Sequence, residues 1–155
     1  MILPVTVYGN PILRKKAVKI DKDYEGLEQL IDNMWDTMYK ADGVGLAAPQ
    51  VNKSIRLIVI DATPFGEDDE SVKDFKKVFI NPEIIEFRGE KENFNEGCLS
   101  LPTIREDVER PTAITIKYQD EEFNTYEEDM DGIKARIVQH EYDHLEGTLF
   151  VDHIS

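Results

Sequence analysis

A segment near the C-terminal end of the sequence constrains the fold more than any other. Its apolar and imidazole side chains recur at intervals of three and four residues, which places them on one face of a helix: Ile133, Ile137, His140 and His144. The pattern predicts a helix from near Asp131 to a stop at Gly147. Burying two imidazoles on an apolar face without a partner would cost roughly a few kcal/mol. The fold must therefore supply them with a partner.

Residues 140–144 read H-E-Y-D-H, which is an H-E-x-x-H segment. Side chains four positions apart lie above one another on a helix, so both imidazoles can bind one metal ion. Glu141 leaves the helix about 100° away from His140, so it can reach a water beside the ion without being a ligand. Paired His and Glu residues also occur by chance on exposed helices. Because the imidazoles here continue an apolar stripe, we favour ligation.

A catalytic site with one metal ion needs a third protein ligand and an open position for water. The metzincin proteases supply a third His in H-E-x-x-H-x-x-G-x-x-H, and Gly147 fits that pattern. Phe150, however, stands where the His is required, and His153 lies three residues further on. Cys98 is the remaining candidate. As the only cysteine it excludes an internal disulfide, and a lone cysteine is more often a small buried hydrophobe than a metal ligand.

Residues 43–50 read G-V-G-L-A-A-P-Q and form what we call the glycine loop. Glycines are useful where the backbone must approach a ligand closely. The glycine loop ends in Gln50, whose side-chain amide can donate a hydrogen bond to developing negative charge.

The remaining pattern predicts a second helix and several short strands. Apolar residues recur at helical spacing from Leu27 to Met38, and Gly43 can supply the C-terminal stop. Strands are predicted over residues 55–60, 78–80, 84–87, 91–95, 112–118 and 123–126. Asn81-Pro82 would separate the second strand from the third, and Gly89 would form a hairpin turn. Many short strands around two helices indicate an α+β fold.

Composition excludes several classes of function. The formal charge of −14 argues against a nucleic-acid surface, which needs clustered Lys and Arg, so no DNA partner is expected. No stretch approaches the roughly 18 to 20 apolar residues of a membrane span. The first residues lack the features of a secretory or organelle-targeting signal, so we expect a cytoplasmic protein. Without repeats or linkers, residues 1–155 are predicted to form a single domain.

Three segments together resemble the signature of the peptide deformylase family. Residues 43–50 match its G-φ-G-L-A-A-x-Q motif, residues 96–100 match E-G-C-L-S, and residues 140–144 match H-E-x-D-H, in this order. The likeness extends from residues 8–14 to residues 149–152. It implies a compact α+β fold with short antiparallel sheets packed around a central metal-binding helix, and a second, amphipathic helix near the N-terminus.

The resemblance also implies an activity, the removal of formyl groups from N-formyl-methionyl nascent peptides with release of formate. It assigns Cys98, His140 and His144 as metal ligands and Glu141 as the group that transfers protons. Gln50 and the backbone N–H of Leu99 are expected to stabilise the tetrahedral oxyanion.

The family pattern further implies how the peptide is held. The methionine side chain is expected in a pocket lined by Val44, Ile133 and Ile137. Backbone groups of Val44, Gly45 and Gly97 would hold an extended peptide as an added strand. Arg105 matches a family arginine near the peptide's path, although pairing with local acids on the surface would explain it equally well.

The resemblance implies one ferrous ion per chain, replaceable by nickel, cobalt or zinc, while a Cys, His, His set also suits zinc. Bacterial members usually continue into a C-terminal helix that can assist ribosome docking, and this sequence ends at Ser155, so that contact stays open. Two other interpretations use the same helix. A zinc protease would lack its third ligand, and a structural zinc site would lack a fourth and leave Glu141 idle.

Overall fold

The computed structural model describes residues 2–5, 11–41, 43–67, 69–98 and 101–147, with the backbone alone for residues 14, 93–98 and 101–108. The two α-helices are α1 (Leu27–Lys40) and α2 (Gly132–Leu145). The strands are β1 (Gly45–Ala47), β2 (Leu57–Asp61), β3 (Lys76–Cys98), β4 (Leu101–Gln119) and β5 (Thr125–Asp131). Short 3-10 helices cover Pro11–Arg14, Ala48–Val51, Thr63–Phe65 and Glu70–Val72.

The five strands form one antiparallel sheet in the order β1-β2-β3-β4-β5. Among the described residues every neighbour in the sheet is also a neighbour in sequence, so the sheet is a meander with β1 at its edge. The predicted α+β class is confirmed. Several short sheets were expected, whereas the described residues form a single sheet dominated by the long pair β3 and β4.

Two predicted interruptions between strands are wrong, and the predicted strands 112–118 and 123–126 are observed as Leu101–Gln119 and Thr125–Asp131. Asn81-Pro82 does not end a strand, and Gly89 does not form a hairpin, because both lie inside the continuous strand β3. Asn81 and Gly89 have positive φ angles of 52° and 80°, and the pairing with β4 shifts register beside each of them. Residues typical of turns therefore form β-bulges here, and the strand bends without ending.

Strand β2 explains how both helices are held. All five of its residues are buried, and alternate side chains point to opposite faces of the sheet. Leu57 and Val59 pack with α1 residues such as Met34, whereas Ile58 and Ile60 pack with α2 residues such as Val138. The sheet is thus covered by one helix on each face, which is why a strand without polar alternation is stable there.

Helix α1 confirms the predicted amphipathic pattern. Its buried apolar residues face the sheet: Leu30, Ile31, Met34 and Met38. The helix ends at Lys40, and the backbone N–H of Gly43 then donates to the carbonyl of Met38 over 3.0 Å. In the part of the chain that the structure describes, neither helix is long and apolar enough to cross a membrane.

Candidate active site

Helix α2 carries the H-E-x-x-H residues, as predicted. It runs from Gly132 to Leu145, and Gly147 follows with a φ of 74°. The imidazole centroids of His140 and His144 lie 5.6 Å apart with their planes at 73°. His144 is 3% exposed and His140 is half-buried, so both rings lie on the inner side of the helix.

Glu141 lies beside this imidazole pair and is almost completely shielded from solvent. Its side chain is buried, and Oε1 lies 3.9 Å from Nε2 of His140. The glycine loop covers it from the other side. A Cβ atom on Gly45 would come within 3.1 Å of Glu141 Oε1. The structure therefore brings together the glycine loop and the H-E-x-x-H helix, which only the family resemblance had linked.

Strand β1 determines how the glycine loop presents its backbone. The carbonyl of Val44 accepts a hydrogen bond of 2.8 Å from the N–H of Asp61 in β2, and Gly45 lies opposite Ile60. In an antiparallel ladder, hydrogen-bonded pairs alternate with pairs whose polar groups point outward. The N–H and C=O of Gly45 therefore point away from β2, toward the open edge of the sheet.

Gln50 lies on the 3-10 helix that follows β1 and is 2% exposed. Its Oε1 accepts a hydrogen bond of 3.0 Å from the backbone N–H of Ala47. This bond identifies the oxygen end of the amide and sets the direction of the opposite end, the Nε2 donor. The predicted hydrogen-bond donor is thus held in a fixed orientation near the end of the glycine loop.

Other predicted site residues are described only in part. Cys98 ends β3 opposite Leu101 of β4, and Gly97 pairs with Arg105. For Cys98 and Arg105 the structure describes the backbone alone. Leu99 lies entirely outside the described residues. Without the Cys98 side chain, the described residues contain no group of three potential metal ligands.

Ile133 and Ile137 are half-buried and pack against the core between α2 and the sheet. Their predicted role in a methionine pocket stays a prediction.

Sequence reasoning missed an ion pair between a buried arginine of β4 and an aspartate of α2. Nη1 of Arg110 in β4 lies 2.8 Å from Oδ2 of Asp143, which precedes His144. One turn earlier on α2, Nε2 of Gln139 donates to the carbonyl of Pro111 over 2.9 Å. The Asp in H-E-x-D-H was the only local signal for this pair, and nothing in the sequence pointed to Arg110 as its partner.

The donor set fits a divalent metal ion. His140 and His144 provide two nitrogen donors on adjacent turns in a largely buried position, and Cys98 ends a strand of the sheet on which α2 packs. Imidazole and thiolate groups are ligands that zinc and ferrous iron accept. The buried carboxylate of Glu141 lies 3.9 Å from Nε2 of His140.

Comparison with known proteins gives a consistent result. The profile of the polypeptide deformylase family matches residues 2–155. Peptide deformylase from Christiangramia forsetii is 56% identical, covering 100% of this chain and 83% of that protein. Its counterpart from Flavobacterium psychrophilum is 52% identical, covering 100% and 84%. The crystal structure of peptide deformylase from Thermotoga maritima superposes with a TM-score of 0.89 at 43% identity, covering 100% and 99%.

Fold and comparisons define the class of protein, an α+β hydrolase that acts in protein biosynthesis. The chain belongs to the polypeptide deformylase family. Members of this family are metalloenzymes that remove the formyl group from the N-terminus of newly made polypeptides, and this is the activity of the chain.

Proposed function

We propose that residues 1–155 form one catalytic domain that deformylates N-formyl-methionyl peptides with Glu141 as its base and Cys98, His140 and His144 as ligands of one divalent ion, in the cytoplasm. The observation that carries this assignment is the buried contact between the glycine loop and Glu141, beside both imidazoles. A bound divalent ion would supply Lewis-acid activation of the attacking water near neutral pH.

Glu141 suits the proton-transferring role by its position. Its carboxylate is buried next to His140 and under Gly45, so it accepts a proton from water without exposure to bulk solvent. The same group then delivers the proton to the departing amine. Formate and a free N-terminus are the products.

Gln50 suits the stabilisation of the oxyanion. The Ala47 hydrogen bond fixes its amide, so the Nε2 donor requires no reorientation when negative charge develops on the formyl oxygen. One donor of this kind is typically worth about 3 to 4 kcal/mol of barrier. The backbone N–H of Leu99 is the second donor in this proposal.

The peptide would lie along the open edge of β1. The outward polar groups of Gly45 can hydrogen-bond to an extended chain, and Gly97 and Val44 would contribute further backbone contacts. Val44, Ile133 and Ile137 would line the methionine pocket, and Arg105 would lie near the path of the following residues. N-formyl-methionyl nascent chains are the partners that this arrangement suits.

Glu141→Gln tests the assignment. The amide keeps the size of the side chain and loses its basicity, so formate release from formyl-Met-Ala-Ser should fall by about 10² to 10⁴ while metal content is unchanged. Glu127→Gln, at an exposed position of β5, is the matched control and should keep wild-type turnover.

Turnover close to wild type in metal-loaded Glu141→Gln would show that Glu141 only supports the site. Cleavage of unformylated peptides by the wild type would instead favour the protease interpretation.

A further inference from the structure

Two contacts one helical turn apart join α2 to β4. Arg110 pairs with Asp143, and the carbonyl of the next residue, Pro111, accepts from Gln139. We call these two contacts the β4 clamp. Gln139 and Asp143 lie on either side of His140 in sequence, and His144 follows directly. The β4 clamp therefore fixes the rotation of the turn of α2 that carries both imidazoles.

Because Arg110 is buried, its pairing with Asp143 has one well-defined geometry. Its side chain is 4% exposed, and the contact of 2.8 Å to Asp143 is a short, charge-assisted hydrogen bond. A guanidinium removed from water is stable only with charged or hydrogen-bonding partners, so this geometry has few alternatives. A second arginine of the same sheet, Arg88 in β3, is more exposed: it pairs with Asp129 at 3.4 Å and donates to the carbonyl of Ile114 over 3.1 Å.

The β4 clamp is also connected to Cys98, the third predicted ligand, through the pairing of β4 with β3. Strand β4 pairs with β3 from Ile80 to Cys98, and Arg110 lies opposite Glu92 in that ladder. Cys98 ends the same strand β3. Helix α2 supplies the two imidazoles, whereas the β3–β4 pair supplies the thiolate, so the spacing between the two halves of the ligand set depends on how α2 is fixed to β4.

We infer that Arg110 is a positioning residue, which holds His140 and His144 in register with Cys98 through Asp143. The inference rests on the proposed function, because it needs these three residues to be the ligands. It predicts an effect on metal affinity and ligand geometry rather than on peptide binding. Residues outside the ligand set that orient metal ligands are typically worth about 10- to 100-fold in metal affinity.

The experiment uses the full chain loaded with cobalt(II), whose visible spectrum reports thiolate and imidazole ligation. Arg110→Met should lower cobalt affinity about 10- to 100-fold, change the spectrum, and lower kcat more than it raises KM for formyl-Met-Ala-Ser. Arg110→Lys keeps the positive charge and should retain more affinity than Arg110→Met. Arg88→Met is the matched control and should bind cobalt as the wild type does.

A second variant covers the case in which Arg110→Met does not fold. Asp143→Asn keeps the shape of the side chain and an oxygen that accepts from Arg110, but removes the negative charge, and should also weaken cobalt binding. Wild-type affinity and spectrum in Asp143→Asn or in folded Arg110→Met would overturn the inference alone. An equal loss in Arg88→Met would overturn it too. A wild type that neither binds cobalt nor releases formate would overturn the proposed function and the inference together.

Discussion

A Cβ atom on Gly45 would lie 2.9 Å from Cγ and 3.0 Å from Cδ of Glu141. These distances are shorter than carbon atoms tolerate without a shift, so the absence of a side chain at Gly45 is what allows Glu141 to occupy its buried position. The strand β1 and the helix α2 meet at this contact, and the geometry of the carboxylate depends on both.

Gly45→Ala should therefore impair catalysis more than folding. The side chain of Glu141 is flexible, so it can move away from the added methyl group, and the loss of stability should be small. The displaced carboxylate is then out of line for proton transfer, and we expect kcat to fall by about tenfold or more. Formate release and thermal unfolding of the variant provide the two measurements.

A double-mutant cycle separates this effect from a change in peptide binding. In a Glu141→Gln background the carboxylate is already absent, so Gly45→Ala should lower kcat little further. A full additional loss in that background would mean that Gly45 acts mainly through the peptide and not through Glu141.

Helix α1 buries the single face that its periodicity predicted. In α2 the predicted stripe of Ile133, Ile137 and His140 is half-buried, and the helix buries residues around much of its circumference, because both the sheet and the glycine loop contact it.

The sequence nevertheless predicted both helices, because the periodicity of each is local. It also predicted the closeness of His140, Glu141 and His144, since residues four apart on a helix are neighbours whatever the rest of the chain does. The same reasoning failed in β3. Asn81 and Gly89 favour turns and bulges alike, and only the pairing with β4 decides between them.

Contacts between distant segments had no local signal that identified both partners. The approach of Gly45 to Glu141 and the pairing of Arg110 with Asp143 both depend on how the sheet places α2. The first was implied only by the motifs of the family, and the second was missed. Asp143 stands in the H-E-x-D-H motif, but nothing in the sequence distinguished Arg110 from an ordinary surface charge.

Cys98→Ala should remove most of the bound metal and nearly all activity while the protein stays folded. Without the thiolate, the two imidazoles alone would hold the ion weakly. Metal content after purification and gel filtration, with far-ultraviolet circular dichroism to monitor the fold, gives the answer. His144→Ala is the comparison, because loss of a helix ligand should have a similar effect. Metal bound at wild-type stoichiometry in Cys98→Ala would remove Cys98 from the site.

Asp61 should make stability depend on pH in the acid range. It ends β2, and its carboxylate accepts hydrogen bonds from Tyr39 Oη over 2.6 Å, from Thr63 Oγ1 over 2.6 Å and from the N–H of Thr63 over 3.0 Å. Burial raises the pKa of Asp61, but the hydrogen bonds from Thr63 and Tyr39 outweigh it, so the pKa lies below its usual value.

A lowered pKa in the folded state means that the carboxylate stabilises the fold at neutral pH. This contribution is present above the unfolded pKa of about 3.9 and is lost as the pH falls through the lower folded value. Asp61→Asn should therefore destabilise the protein by about 1 to 2 kcal/mol at neutral pH, with a smaller difference from wild type in acid. Urea unfolding at several pH values measures this difference.

Asp69 offers a matched control for Asp61. Its carboxylate accepts from the N–H and Oγ of Ser71 in the same local arrangement, but on the surface. Asp69→Asn should change stability far less, because solvent screens the exposed group. If both variants lost the same stability, burial would not be the reason for the effect of Asp61.

The ferrous form of the enzyme should be much more active than the zinc form, and it should decay in air. A thiolate ligand donates negative charge and weakens the Lewis acidity of the ion. An ion that readily expands its coordination can still bind the formyl oxygen, whereas zinc is more stable with four ligands. If Cys98 holds the iron as proposed, the metal and the thiolate would both be open to oxidation. Metal-free protein should be reconstituted anaerobically with iron, nickel, cobalt or zinc, assayed for formate release, and then exposed to air, with iron-loaded Glu141→Gln as the blank. Highest turnover with zinc, together with an air-stable iron form, would refute the ferrous assignment while the hydrolytic activity would stand.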